Sequence, residues 1–191
     1  MHMRRALQHH PDSPSAAVSQ IDVDVAREHD TLALRYIVTG NIGAIRIPPR
    51  ATPTRTDELW RHTCFEVFVR IPPPLAGGGQ GAGALPAQPY REFNFSPSTQ
   101  WAAYSFTSHR KGWAPLEIAN PPNIQSRTND ATFELAVALD LSALAPQPNA
   151  PLTLGLSVVI EETNGAMSYW ALTHPKGKAD FHHSDCFALS L

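Results

Sequence analysis

The sequence predicts an all-β protein, an antiparallel β-sandwich of about eight to ten strands. Apolar residues recur with a period of two far more often than with the helical period of 3.6. The alternating runs are short, and turn-forming residues separate them. Helix signals are nearly absent: the segment Asp140–Pro146 suggests a single turn, with Asp140 as its cap and Pro146 as its stop.

The first clear strand is TLALRYIVTG, residues 31–40. Leu32, Leu34 and Tyr36 alternate there with smaller or polar neighbours. Because successive side chains of a strand point to opposite faces, this run is typical of a strand with one buried face.

Two further strands carry polar residues inside apolar runs. CFEVFV places Glu66 on the face opposite to its main apolar residues, and YREFNF places Glu92 and Asn94 together on one face. The opposite faces of these two strands hold Phe65, Val67, Val69, Phe93 and Phe95. The sequence therefore predicts that the polar residues of both strands share one surface if the strands share a sheet.

The remaining strands continue the same alternation. They are WAAYSF, TFELAVAL, LTLGLSVVIEE, MSYWAL and CFALSL. The segment Glu162–Gly165 joins two of them, and its Asn164-Gly165 pair tolerates positive φ. We expect a hairpin turn at this point.

Two segments interrupt the strands. Residues 71–89, IPPPLAGGGQGAGALPAQP, combine Pro and Gly clusters with no apolar period and predict a long mobile loop. A phosphate-binding loop is disfavoured there because the Lys-Ser/Thr ending and the following helix are missing. Residues 47–60 are predicted to be a connection, because their prolines remove backbone donors.

Composition indicates one soluble domain. The chain has 191 residues, of which 42% are hydrophobic and 17% charged, with a formal net charge of -2. We expect a flexible tail at residues 1–19 and a single domain at 20–191. Scattered basic residues argue against nucleic acid and membrane partners, and the lack of a signal sequence or long apolar run predicts a cytoplasmic protein.

The two cysteines, Cys64 and Cys186, are too few for a disulfide framework. Both begin an apolar alternation, TCFEVF and DCFALS. Since an unpaired cysteine usually packs as a small hydrophobe, we expect both thiols to be reduced and buried.

Several motifs together resemble the DOMON-like domains, of the small cytoplasmic bacterial type, and the related family 9 carbohydrate-binding modules. These motifs are DELWRHTCFEVFV, YREFNFSPSTQWAAYSF, FELAVALDLSAL and SYWALTHPKGKADFHHSDCFALSL. The resemblance covers residues 20–191. It implies a β-sandwich that binds sugars or, in some branches, haem b.

The polar residues of the central strands form the main candidate site. If residues 64–69, 90–95 and 167–174 share a sheet, then five side chains form one patch that suits a sugar's apolar face and hydroxyl fringe. These ligand-binding candidates are Glu66, Glu92, Asn94, Trp170 and His174. The alternative is a solvated outer sheet face, with Trp170 packed beneath a loop.

The four tryptophans are separated by their sequence context. Trp60 and Trp101 stand at strand starts, where the resemblance implies structural aromatics, while Trp113 follows SHRKG in a loop. Trp170 shares a strand with His174, so we expect Trp170 to be the aromatic residue of the site.

Three other functions compete with sugar binding. Haem binding would use Met167 and His174 as the nearest axial pair. An interaction or assembly domain would use an exposed sheet, and its oligomeric state is open. A glycosidase would need two carboxylates at a defined separation, which no spacing establishes, so we expect no catalytic residues.

The last loop, THPKGKADFHHSDCF, is unusually rich in polar residues. Weak metal-ligand candidates there are Asp180, His182, His183 and Asp185. No recognised ligand spacing supports a metal, and local hydrogen bonds to turn amides are the favoured interpretation. We nevertheless expect this loop to border any binding site.

Overall fold

A computed structural model describes residues 2–71, 88–142, 144 and 150–191. In these residues twelve strands form one antiparallel sheet that curls on itself. The strands are β1 His2–His9, β2 Val18–Glu28, β3 Thr31–Gly40, β4 Cys64–Arg70, β5 Tyr90–Phe95, β6 Trp101–Phe106, β7 Ala114–Pro115, β8 Asn123–Thr128, β9 Thr132–Asp140, β10 Thr153–Glu161, β11 Met167–Ala171 and β12 Leu189–Ser190. Three single-turn 3₁₀ helices accompany them at Ile42–Ala44, Leu59–Arg61 and Ser184–Cys186. The all-β antiparallel prediction is confirmed.

The strand order is β7-β6-β5-β4-β10-β11-β1-β2-β3-β9-β8, and β12 pairs with β10. Strand β1 joins two parts of the sheet. Its residues His2–Leu7 pair with β2, while Gln8 and His9 pair with β11. We call β2, β3, β8 and β9 the β3 half, and we call β4 to β7 with β10 to β12 the β4 half.

The inner faces of the two halves pack against each other. The ring of Tyr36 on β3 meets Phe65 on β4 at a centroid distance of 5.2 Å, and Phe65 stacks on Phe133 of β9 at 5.8 Å. The Tyr36 hydroxyl donates to the backbone oxygen of Glu66 at 2.8 Å, so its polar end is satisfied inside the core. Burying each such large side chain contributes roughly 1.5 to 3 kcal/mol.

Strand β1 contradicts the prediction of a flexible tail at residues 1–19. The strand is hydrogen-bonded to β2 along most of its length, and it places Leu7 in the core. Its outer face is charged, and Arg4 lies 3.6 Å from both Asp22 and Asp24 of β2. The polar composition misled the prediction, because a strand with one solvated face needs only a few inward apolar residues.

The turn between β10 and β11 is confirmed. The backbone nitrogen of Glu162 donates to the oxygen of Ala166 at 2.8 Å, and Gly165 has φ +87°. The side chain of Asn164 accepts from the backbone nitrogen of Ala166. A residue with a Cβ is rarely stable at that φ, so the glycine has a backbone reason to be there.

Two predicted features lie wholly or partly outside the described residues. The loop at 71–89 falls almost entirely in the undescribed range 72–87. The single turn at Asp140–Pro146 is described only in part, and there the Asp140 side chain accepts from the backbone nitrogen of Ser142 at 2.8 Å. No helix in the described ranges is long and apolar enough to cross a membrane.

The two cysteines are free and buried, as predicted. Burial raises the pKa of the Cys186 thiol to about 12, and it also holds the pKa of Cys64 well above its ordinary value. Both groups are therefore protonated thiols at neutral pH.

Candidate functional site

A cavity of about 1070 Å³ lies on the outer face of the β4 half, opposite to the main core. Side chains alternate along strands, so its walls come from the residues that face away from that core. The strand residues of the wall are Glu66, Phe68, Glu92, Tyr104, Phe106, Val159, Met167 and Tyr169. Three connecting segments around residues 57–61, 110–113 and 179–182 supply the rest.

A small aromatic cluster supports this face. It consists of Phe68, Tyr90, Ala102, Tyr104, Phe106 and Phe187. The ring of His182 packs edge-on against Phe68 at 5.1 Å and against Phe106 at 5.0 Å. The last polar loop thus borders the cavity.

His182 is a neutral histidine inside this cluster. Its burial, together with the positive charge of Arg110, lowers its pKa to about 4. The Tyr90 hydroxyl accepts from the backbone nitrogen of Arg110 and lies 2.7 Å from His182 Nδ1. The other ring nitrogen of His182, Nε2, lies 3.8 Å from Glu92 Oε2.

Two tryptophans stand at the mouth of the cavity. Trp60 is 45% exposed and Trp113 is 57% exposed, and both line the cavity. Trp60 lies on the 3₁₀ turn Leu59–Arg61, with the Arg61 guanidinium 5.4 Å from its ring centroid. Trp113 lies 5.6 Å from the Tyr104 ring at an angle of 35°.

Hydrogen bonds and ion pairs hold the segment that carries Trp60. The Tyr104 hydroxyl donates to Asp57 Oδ1 at 2.8 Å, and Arg55 pairs with the same carboxylate at 3.0 Å. The guanidinium of Arg55 also lies 5.5 Å from the Tyr104 ring centroid. These contacts anchor the connection 47–60 to the β4 half one turn before the tryptophan.

The backbone is strained at two points of the cavity wall. Glu58 has φ +62° and Arg110 has φ +54°, in the left-handed region that residues with a Cβ seldom occupy. Both side chains line the cavity. Strain of this kind costs roughly 1 to 3 kcal/mol and is concentrated at functional sites in proteins.

Two carboxyl groups form the floor of the cavity. Glu66 and Glu92 are 3% and 5% exposed, and both line the cavity. Ser157 donates to Glu66 Oε2 at 2.9 Å, and Asn94 Nδ2 donates to Glu92 Oε1 at 2.9 Å. Burial raises the pKa of Glu66 to about 8, with a further contribution from the charge of Glu92, and burial raises the pKa of Glu92 to about 7.

The nearest cation does not pair with these carboxyls. Arg110 lowers the pKa of both from a distance, but its guanidinium is held by Asp180 at 2.8 Å. His109 also contacts Asp180 at 2.8 Å, and these interactions outweigh burial and lower the pKa of Asp180. Among the described residues, no Lys or Arg forms an ion pair with Glu66 or Glu92.

The structure brings together three of the five predicted site residues. Glu66 and Glu92 line the cavity, and Asn94 lies beside them, opposite Glu66 across the β4–β5 pair. His174 does not line the cavity, because its Nε2 donates to the backbone oxygen of Gln8.

The expectation that Trp170 is an exposed site residue is wrong. Trp170 is 3% exposed, belongs to the main core, and donates from Nε1 to Ser168 Oγ at 3.1 Å. Its neighbour Tyr169 faces the cavity instead. A strand's alternation assigns its residues to two faces but does not say which face is buried, and the sequence around Trp170 did not settle this for β11.

Sequence reasoning missed the two tryptophans that do face the cavity. The sequence predicts Trp60 as a structural aromatic residue and Trp113 as a loop residue, and it assigns neither of them to the site. The sequence signal that could have found them is that neither tryptophan belongs to an alternating strand, so neither is needed to fill the buried face of a strand. Trp101, the fourth tryptophan, is buried in the core.

The haem alternative does not fit this arrangement. Met167 lines the cavity, whereas His174 lies outside it with its Nε2 bonded to Gln8. The weak metal candidates also diverge: Asp180 binds His109 and Arg110, His182 faces Tyr90, and His183 lies beside Asp185. In the described part of the chain, no group of three or more His, Cys, Asp or Glu is placed to hold a metal ion.

Comparisons with known proteins identify the fold. No protein-family model matches the sequence, and no curated protein matches it. The structure is similar to that of a protein from Bacteroides uniformis named as a candidate carbohydrate-binding protein, with a TM-score of 0.68, 12% identity, and coverage of 96% of this chain and 83% of the other. It is also similar to a family 9 carbohydrate-binding module from Caldicellulosiruptor kristjanssonii in complex with cellotriose, with a TM-score of 0.51, 7% identity, and coverage of 92% and 74%.

Proposed function

We propose that this chain binds carbohydrate without transforming it, in the cavity on the outer face of the β4 half. One observation carries the proposal: Trp60 and Trp113, the large exposed apolar side chains of the described residues, both stand at the mouth of this cavity. An indole ring offers a flat apolar surface to the C–H face of a sugar.

The walls and floor supply the polar half of such a site. Hydroxyl groups of a sugar both donate and accept, and the carboxyls of Glu66 and Glu92, which accept when ionised and also donate when protonated, offer partners of both kinds. The cavity volume of about 1070 Å³ is large enough for more than one sugar ring. The similarity in fold to a carbohydrate-binding module supports this choice of ligand.

Removing the tryptophans tests the proposal. Titration calorimetry with cellotriose, chitosan trisaccharide and triacetylchitotriose is expected to show binding of at least one of them. Trp60→Ala and Trp113→Ala should each weaken that binding by about 1 to 3 kcal/mol, as for other exposed aromatic anchors. The matched control is Gln125→Ala, an exposed residue on β8 of the other half, which should bind like the unchanged protein.

Two results would contradict the proposal. In the first, none of these saccharides binds, or both tryptophan variants bind as tightly as the unchanged protein. In the second, chromatography of the saccharide after prolonged incubation shows shortened products, which would mean that Glu66 and Glu92 act in hydrolysis.

A further inference from the structure

The floor of the cavity has an unmatched set of acceptors. Glu66 and Glu92 lie on adjacent strands, since Glu66 pairs with Asn94 and Glu92 pairs with Phe68 across β4 and β5. Their faces coincide, and both line the same cavity. The charge of Glu92 raises the pKa of Glu66, so the two buried carboxyls repel each other when both are ionised, and a cation bound beside them would reduce the repulsion.

A third acceptor stands beside the carboxyls. Asn94 is fully buried, and its Nδ2 is used by Glu92 Oε1. Its Oδ1 is buried and has no hydrogen-bond partner in the described residues. A buried amide oxygen without a donor costs about 1 to 3 kcal/mol, so an incoming N–H donor that reaches it recovers that energy.

The protein's own cations do not fill this place. Arg110 is engaged by Asp180, Arg61 by Glu58 at 2.8 Å, and His182 is neutral. The thiol of Cys64 and the phenol of Tyr36 also interact with the pair, and both stay protonated. Across the described wall, the floor therefore presents oxygen acceptors without a resident positive charge.

A ligand that carries both a sugar face and a primary ammonium satisfies both ends of the cavity. The ammonium has three N–H donors and one positive charge, which suits a floor whose two carboxyls can accept hydrogen bonds and can be ionised. The rings of Trp60 and Trp113 at the mouth, with Tyr104 and Phe106 in the wall, suit the sugar's apolar face and attract a cation through their π faces.

We propose that the cavity selects an amino sugar with a free ammonium group, such as a 2-amino-2-deoxy sugar, which it holds by Glu66 and Glu92, beside the unpartnered Oδ1 of Asn94. This inference rests on the proposed function, since it names the class of carbohydrate. A neutral saccharide offers only hydroxyl donors to the same floor and leaves the carboxyls without a counter-charge.

Three trisaccharides separate the ammonium from the rest of the ligand. Chitosan trisaccharide, triacetylchitotriose and cellotriose share their β-1,4-linked frame and differ at carbon 2, which bears ammonium, acetamide or hydroxyl. At about pH 6, where the amines are mostly protonated, and at moderate salt, calorimetry is expected to show the ammonium form binding roughly tenfold or more tightly than the other two.

Isosteric variants locate the preference. Glu66→Gln and Glu92→Gln should each reduce the preference for the ammonium form over cellotriose severalfold, and the double variant should abolish it. Glu134→Gln, which removes a carboxylate from the outer face of the other half, is the matched control and should leave the preference unchanged. Thermal unfolding of each variant verifies that it is folded.

Calorimetry in buffers of different ionisation enthalpy gives a readout independent of mutation. At about pH 6, where the free sugar amine is already mostly protonated, binding of the ammonium form should release up to about one proton, because a bound cation favours the ionised carboxyls. Cellotriose should release none.

The outcomes separate this inference from the proposed function. If cellotriose or the acetylated form binds as well as the ammonium form, or if the double variant stays folded and keeps the preference, the ammonium inference is overturned and carbohydrate binding stands. If none of the three saccharides binds, both are overturned.

Discussion

The carboxyl groups on the two outer faces of the curled sheet differ in burial and in ion pairing. On the β3 half, carboxylates are partly exposed and lie beside arginines. Arg35 contacts Glu134 at 2.8 Å, and Arg4 lies 3.6 Å from Asp24. The hydrogen bond from Arg35 lowers the pKa of Glu134, although burial opposes this effect.

On the β4 half, the cavity carboxyls Glu66 and Glu92 are buried and lack arginine partners among the described residues, whereas Glu161 at the end of β10 pairs with Arg46 at 2.9 Å. Glu66 and Glu92 both have raised pKa values, and burial is the first cause in each. Outward polar residues of a sandwich are usually solvated, and the β3 half follows that rule. The β4 half departs from it because three connecting segments roof its outer face, and this departure is what identifies the candidate site.

The largest expected effect is a difference in unfolding free energy between removing a tryptophan of the core and removing one at the mouth of the cavity. Trp170→Ala should lower the free energy of unfolding by about 3 to 5 kcal/mol, the range for deleting a large buried aromatic side chain. Trp113→Ala should change it by less than about 1 kcal/mol, because that ring is mostly exposed. Denaturant titration of both variants measures the difference.

The reverse order of these two effects would break the comparison of the faces. If Trp113→Ala destabilised the protein as much as Trp170→Ala, the ring of Trp113 would be holding the roof segments in place. The exposed aromatic mouth would then be structural, and its role in ligand binding would lose its main support.

The alternation of apolar residues was enough to predict the sheet and the inward faces of its strands. Phe65 and Phe93 point into the core as predicted, and Glu66 and Glu92 point away from it. Short-range pattern suffices here because the period of a strand is a local property.

The walls of the cavity were much harder to predict. Trp60 and Trp113 reach it from connections, whose path depends on contacts such as Tyr104 with Asp57 rather than on a period. Strand β1 was missed for a different reason: its polar composition is that of a tail, although most of it pairs with β2, the next strand in the chain. The path of the connections depends on long-range contacts, for which a single sequence carries little signal.

The second effect is a loss of stability at alkaline pH. Glu66 and Glu92 have folded pKa values of about 8 and about 7, above the ordinary value of 4.5, so the folded protein binds more protons than the unfolded chain. Stability therefore falls as the pH rises through the folded values, by about 2 kcal/mol between pH 6.5 and 8.5. Urea titrations across this range measure the slope.

This window avoids the opposite contribution of His182. Its folded pKa of about 4 lies below the ordinary 6.5, so its contribution to stability is complete above pH 6.5 and is lost only as the pH falls. Glu66→Gln and Glu92→Gln should each flatten the alkaline slope and stabilise the protein at pH 8.5. An unchanged slope in the double variant would mean that the carboxyls are not the buried, unpaired groups that distinguish this face.

The smallest expected effect is on the β3 half, where a Glu→Gln substitution should destabilise the protein rather than stabilise it. Glu134 has a lowered folded pKa, so its contribution is present above the pKa of the unfolded chain and is lost as the pH falls through the folded value. Glu134→Gln should lower the unfolding midpoint at neutral pH by no more than about 2 °C, because exposed ion pairs contribute little. The difference should shrink in roughly 1 M salt, which screens exposed charges. It should vanish at acid pH, where both states bind the proton.

Thermal scans of the two Gln variants then give the contrast in one experiment: Glu92→Gln stabilises at alkaline pH, and Glu134→Gln slightly destabilises at neutral pH. If Glu134→Gln instead stabilised the protein, its carboxylate would be as poorly matched as those of the cavity. A carboxyl without a counter-charge would then be an ordinary feature of this sheet and would no longer point to a ligand.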